Sequence, residues 1–317
     1  MSNLPARLLR LSRELRYAAT SPALDIDAID AGNGTAAKRH IEQRGWVLMR
    51  GVFSQSEIAT FREHVLEASR TKRAGDLLTD PNLREVILNE RYAKVVKSIV
   101  GQRPVYCGDS NWSADYYPGT IGFHKDNPDK ELQSAPDWQT PYTIFRFGVY
   151  LQDCVNFSGG LCLRDRSHET VDVNTGQPFA VPSLPGDVVA WSHRTTHSGY
   201  ATRLHSLPKV FLPLPVIARL AARGGHYQAP RALFRGLEHP DRLAVFSSFA
   251  QHDHHLDRYL RYLKTRQYYV QSIQASTWDQ AARERAVVAG YELLDLSDEL
   301  RRVDVSKLNR DHVPLSG

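Results

Sequence analysis

The stretch GDVVAWSHRTTHSG at 186–199, set beside IGFHKD at 121–126, decides how this chain is read. Gly186-Asp187 is a turn signal after Pro185, and the apolar run behind it is β-prone. In a strand, residues i and i+2 share a face, so His124 and Asp126 point one way while Phe123 and Lys125 point the other. Two imidazoles and a carboxylate suit Fe(II), which such a set holds on one face with the opposite positions open. The third ligand has to come from a distant strand that crosses nearby. Within 186–199 both His193 and His197 qualify, four residues apart and on one face by strand parity, so parity does not separate them.

Working outward, residues from about 104 to 250 alternate short β-prone runs with turn signals. TIFRFGVYLQD (143–153), GGLCLRDRSH (159–168) and AVPSLPGDVVAWSH (180–193) are examples, punctuated by Pro118-Gly119, Ser158-Gly159-Gly160 and Pro185-Gly186. This texture predicts an α+β protein whose core is mainly β, a sandwich or barrel. Upstream, leucines at 4, 8, 11 and 15 predict an amphipathic helix over 3–19, residues 36–44 a second helix, GWVLMR (45–50) a strand, and Ser54 with Glu57 a capping box opening a third helix. From His254 the sequence is helical again. His252, Asp253, His254 and His255 look metal-like but read as a solvated helix start. The expected organisation is one domain over 1–317, with N-terminal helices (1–41), a β core (42–250) and C-terminal helices (251–317).

With 317 residues, 42% hydrophobic and 24% charged, the chain is long enough for a large core. No apolar run is long enough to span a bilayer, and no secretory signal is visible. Cys107, Cys154 and Cys162 fit no zinc spacing and read as reduced core thiols of a cytoplasmic protein. The net charge of +5 is concentrated: seven Lys or Arg against Glu238 and Asp241 make 201–242 alone +5. Such a region favours anionic partners. No nucleic-acid motif accompanies it, so a nucleic-acid partner is not expected. Peripheral membrane contact through the first helix is the minor alternative to packing on the domain. The oligomeric state is unreadable.

Taken in order, these segments resemble the phytanoyl-CoA dioxygenase family of Fe(II)/2-oxoglutarate-dependent oxygenases. GWVLMRGVFSQSEI (45–58) resembles the opening strand and helix, FHKD (123–126) the first two metal ligands, and GGLCLRDRSH (159–168) the segment that usually ends Pro-Gly-Ser-His. Here Asp165-Arg166 replaces Pro-Gly. GDVVAWSHRTTHSG resembles the segment bearing the third ligand, about eleven residues after the glycine, which selects His197 over His193.

The resemblance implies a double-stranded β-helix (jelly-roll, cupin-like) and a metal held by His124, Asp126 and His197. It further implies Fe(II), 2-oxoglutarate and O₂ as cofactor and cosubstrates, and hydroxylation of an unactivated C–H bond. Asp126 speaks against a halogenase, where a small residue replaces the carboxylate. An arginine usually grips the far carboxylate of 2-oxoglutarate about eleven residues beyond the last histidine, which here is Pro208 beside Lys209. Arg242, opening RLAVFSSFA, is the preferred anchor, Lys209 the second and Arg203 the third. That choice makes 204–240 an insertion, a basic lid suited to an anionic sugar- or lipid-linked small molecule. Arg146 and Tyr150 share a face and would contact cosubstrate or substrate. Trp112, Asp115 and Tyr117 would line the pocket. The rival readings are a cupin-like metalloenzyme that does not use 2-oxoglutarate, and a non-catalytic binding protein on the same fold.

Overall fold

The structure, a computed structural model, describes residues 28–115, 123–155, 159–203, 211–212 and 242–310; of 115, 200–203 and 211–212 it describes only the backbone. The expected helix over 3–19, Tyr117 and Lys209 lie outside the described residues, as does the expected lid apart from 211–212.

Local signals account for the opening elements. Asn33 caps helix α1 (Gly34–Arg44) by accepting from the Ala36 amide, and Gly45 ends it at φ +82°. A side chain at Gly45 would be strained by that φ and would also lie 2.6 Å from His168 Nδ1 and Thr195 Oγ1. Glycine therefore lets α1 turn straight into strand β2 (Trp46–Arg50), after a short β1 (Ile29–Asp30). Ser54 and Glu57 form the expected capping box at the head of α2 (Gln55–Thr71). Two further helices follow, α3 (Arg84–Ile87) and α4 (Glu90–Val100), the latter capped by Asn89.

The middle of the chain is two sheets. Strands β3 (Val105–Tyr106), β4 (Ser110–Asp115), β5 (Ile144–Tyr150), β8 (Val188–Ser192), β11 (Arg242–Ala250) and β12 (Glu292–Leu293) join β1 and β2 in an eight-stranded sheet. Its order is β1-β2-β8-β5-β11-β3-β12, with β4 also paired to β11. The second sheet runs β10-β9-β6-β7, from Phe211–Leu212, His197–Arg203, Gly160–Arg164 and Pro178–Ala180. Phe211–Leu212 pair with β9 at the end of this sheet, while Pro213 and Pro215 lie outside the described residues.

Alternation on the large sheet sorts its two faces. Val47, Met49, Phe147, Val149, Val188, Ala190, Leu243 and Val245 pack against α1, α2 and α4. Trp46, Leu48, Tyr150, Val189, Trp191, Ala244 and Phe246 turn the other way and pack against Leu161, Leu163 and Phe179 of the second sheet. Burial on both faces explains why these strands read as continuous apolar runs. The C-terminal helices α5 (His254–Leu263), α6 (Gln267–Gln274), α7 (Gln280–Ala289) and α8 (Ser297–Leu300) follow, and Leu256, Tyr259, Leu263, Val270 and Leu300 cover Val105, Tyr142, Ile144 and Ala250. No helix among the described residues is long and apolar enough to cross a membrane.

Three local expectations change. The run 186–199 is two strands with a turn at 193–196, so His193 and His197 do not share a strand face. The C-terminal part is not wholly helical, since β12 adds a parallel edge to β3. The 252–255 cluster does open a helix, α5, with Asp253 as its cap, but His255 is fully buried against Tyr142 rather than solvated.

The Asp165-Arg166 substitution of Pro-Gly has a structural role. Asp165 accepts from Arg44 Nε (2.7 Å), Arg44 Nη2 (2.9 Å) and Trp46 Nε1 (2.9 Å), tying the second sheet to the α1–β2 corner. Burial pushes this carboxyl up, but the bonds from Arg44 and Trp46 prevail and hold it below the ordinary range. A depressed carboxyl stabilises the fold above its unfolded value, near pH 4, and loses that contribution as pH falls through its folded value. The stability gap between wild type and Asp165→Asn, followed by urea denaturation, is therefore expected to be widest at neutral pH and to narrow in acid. A gap constant from pH 7 to 3 would remove this role. Arg166 takes the left-handed φ of +56° that glycine would normally supply. Arg166→Gly is expected to gain up to about 1 kcal/mol in the same assay.

Candidate metal centre

The segment carrying His124 meets β9 in a single antiparallel bridge. His124 N–H donates to His197 O (3.0 Å), and His197 N–H donates to His124 O (2.9 Å). One turn of register further, Asp126 N–H donates to His193 O (2.9 Å). These backbone bonds bring the two ends of the pattern together. One ligand atom from each of His124, Asp126 and His197 lies within 4.8 Å of the others. The carboxylate stands between the rings, Oδ1 3.6 Å from His124 Nε2 and Oδ2 3.3 Å from His197 Nε2. Neighbouring ligands of an octahedral ion with bonds of ~2.1 Å are ~3.0 Å apart, so small side-chain rotations would close the set on one ion.

Orientation is built in. His197 Nδ1 faces Thr195 O at 3.0 Å, a bond that fixes the ring and directs Nε2 at Asp126. Burial works against the Asp126 charge, yet the two histidines beside it hold its carboxyl well below the usual range. It is therefore an anion at neutral pH, as a metal ligand must be. Lys125, between the two ligands, turns away as alternation predicts and is fully buried. Its Nζ donates to Ser167 O (2.6 Å) and Arg194 O (2.7 Å), anchoring the pair from behind. His193 sits elsewhere: its Nε2 contacts Ser248 Oγ at 3.1 Å, its ring meets Tyr259 edge-on, and burial lowers its pKa to about 4.

The three side chains open into a cavity of about 1200 Å³ whose near walls are Phe123, Leu161, Trp191 and Phe246. Arg242 reaches into this end from the first position of β11, buried, with its guanidinium 5.2 Å from the Phe246 ring centroid and 5.9 Å from that of Tyr150. Gly199 makes that path. It lies two residues beyond His197 on the same face of β9, and a Cβ there would stand 2.4 Å from Arg242 Nη1. With 2-oxoglutarate as cosubstrate, as the sequence resemblance implies, Gly199→Val is expected to displace Arg242 and raise the KM for 2-oxoglutarate at least about tenfold, while leaving His124, Asp126 and His197 in place. An unchanged KM would mean that Arg242 does not grip the cosubstrate.

Arg146 and Tyr150 share the inner face of β5, as parity requires. Arg146 is already engaged: it contacts both Asp109 carboxylate oxygens at 3.1 Å, Ser248 Oγ at 3.1 Å and Asn111 Oδ1 at 2.9 Å. It forms wall rather than free anchor. Trp112 packs toward the helical layer, so Asn111 and Ser113, its neighbours in alternation, line the cavity instead. For Asp115 only the backbone is described, paired with Arg242. The sequence reading missed Lys130, Tyr262, Arg266 and Tyr268, which also line the cavity. Their segments show only helical periodicity and turns, and a tertiary fold brings them to the site.

No protein-family model matches the sequence, and no curated protein matches it either. Several solved structures show a distant likeness. The non-heme alpha ketoglutarate dependent carbocyclase SnoK from nogalamycin biosynthesis is 16% identical, with 73% of this chain and 93% of that one covered at a TM-score of 0.46. HygX from Streptomyces hygroscopicus, with nickel and 2-oxoglutarate bound, is 17% identical over 68% of this chain and 86% of that one, at 0.45. EctD from S. alaskensis with bound Fe is 14% identical over 72% and 82%, at 0.45. The chemistry assigned below rests on this chain's own side chains.

Proposed function

We propose that this protein is an Fe(II)/2-oxoglutarate-dependent oxygenase on a double-stranded β-helix, hydroxylating an unactivated C–H bond of a small anionic molecule. The observation that carries the reading is the convergence of His124, Asp126 and His197 at one end of a deep cavity with a buried arginine beside them. The donor set fits the group: two imidazoles and one carboxylate are the two-histidine, one-carboxylate set that suits Fe(II). Bound there, iron and 2-oxoglutarate would supply the oxidation of the C–H bond by O₂.

The chain supplies the rest. His124, Asp126 and His197 hold the ion, with Thr195 fixing one imidazole. Arg242 presents a planar fork that suits the far carboxylate of 2-oxoglutarate, with Tyr150 and Phe246 packed beside it. Trp191, Phe246 and Leu161 give the reacting end apolar walls that exclude water. Three buried cysteines, with no disulfide among the described residues, suit a reducing compartment, and we place the protein in the cytoplasm.

The test is succinate release from 2-oxoglutarate by protein loaded anaerobically with Fe(II) and then exposed to O₂. Release that depends on both metal and 2-oxoglutarate is the expected result. Failure of the metal-loaded protein to bind 2-oxoglutarate would overturn the reading in favour of a metalloenzyme without that cosubstrate.

A further inference from the structure

Several largely buried arginines of this protein are paired with carboxylates. Arg146 pairs with Asp109, Arg258 with Asp129 and Arg44 with Asp165. Arg266, at the head of α6, is 7% exposed and has no carboxylate within ion-pair distance among the described residues. Its Nη2 donates to Arg310 O at 2.7 Å, while Nε and Nη1 have no hydrogen-bond partner among the described residues. The rings of Tyr262 and Tyr268 flank the guanidinium, their centroids 5.5 and 5.7 Å from its central carbon. A buried charge with unmet donors is costly unless something pairs with it.

Arg266 lines the cavity that holds the metal ligands, and Lys130 lines it too. Lys130 likewise makes no ion pair among the described residues, while Arg310 adds charge at the rim. Asp126 is near enough that its charge acts on Lys130, Tyr262 and Tyr268. At the metal end the charges would balance: iron and Arg242 against Asp126 and 2-oxoglutarate, and Arg146 against Asp109. Arg266 keeps a positive charge with no carboxylate partner among the described residues.

We propose that Arg266, with Lys130, forms an oxyanion-binding subsite that grips a carboxylate or phosphate group of the substrate. The guanidinium fork offers paired N–H groups to an oxyanion, and the flanking tyrosine rings hold it in place. That the substrate's other end is oxidised at the metal rests on the oxygenase reading; the anion grip itself does not.

The test uses metal-free full-length protein, so that it is independent of iron and 2-oxoglutarate. Inorganic phosphate and acetate are titrated separately by calorimetry into wild type, Arg266→Gln, Arg266→Lys, Lys130→Gln and Arg242→Met. The expected result is saturable binding of at least one anion by wild type, weakened at least about tenfold by Arg266→Gln, partly restored by Arg266→Lys, weakened by Lys130→Gln and kept by Arg242→Met. The anion bound more tightly tells phosphate from carboxylate. No binding of either anion to wild type, undiminished binding to Arg266→Gln, or loss in Arg242→Met alone would overturn the subsite. If Arg266→Gln fails to give the wild-type circular dichroism spectrum, Lys130→Gln decides, and its unchanged affinity overturns the proposal. Anion binding together with failure of the metal-loaded protein to bind 2-oxoglutarate would sink the oxygenase reading and leave the subsite standing.

Discussion

Asp126→Ala is expected to release succinate from 2-oxoglutarate at no more than about 1% of the wild-type rate, and to weaken Fe(II) binding to match. Even residues that only orient a metal ligand cost about 10- to 100-fold when lost, and Asp126 is the one anion between two imidazoles. Its removal takes away both a donor and the charge that offsets the ion. The scaffold should survive, because the loop is held by main-chain bonds: Asp126 N–H to His193 O, and the paired bonds of His124 and His197. Melting within a few degrees of wild type is therefore part of the expectation. His124→Ala should behave alike. Near-normal succinate release from a well-folded Asp126→Ala protein would exclude this triad as the reacting centre.

The second large effect belongs to Arg242. Arg242→Met keeps the length and apolar stem that pack against Phe246 and Tyr150 but removes the fork. Two charge-assisted hydrogen bonds, each worth about 1.5–3 kcal/mol, correspond to a rise of at least about 100-fold in the KM for 2-oxoglutarate. Arg242→Lys should recover part of this, since a lysine supplies the charge without the geometry. Fe(II) affinity, measured without 2-oxoglutarate, should stay as in wild type. An unaltered KM in Arg242→Met would move the cosubstrate to another cation.

The local part of this design is legible in the chain. Alternation alone places His124 and Asp126 on one side and Lys125 on the other, and Ser54 with Glu57 announces α2. What residue patterns do not carry is where strands stop. Nothing in AWSHRTTH marks 193–196 as a turn, so the choice of His197 over His193 needed a family spacing rather than parity. Nor can a pattern show pairings far apart in sequence. Arg146 reads as an available cation until Asp109 is seen beside it, and Asp165 reads as a neutral departure until Arg44 and Trp46 are found on it. Arg266 is invisible for the same reason: its environment is made by Tyr262, Tyr268 and Lys130, which only the folded chain collects.

One feature of the layout reaches beyond any single residue. The metal ligands and Arg242 are carried by the sheets and their turns, whereas Tyr262, Arg266 and Tyr268 come from helices packed on the outside of those sheets. Apart from Lys130, the candidate metal ligands and the proposed anion-binding residues thus occupy separate layers. On the proposed function, substitution at Tyr262, Arg266 or Tyr268 is expected to retune which molecule is accepted while His124, Asp126, His197 and Arg242 stay in place.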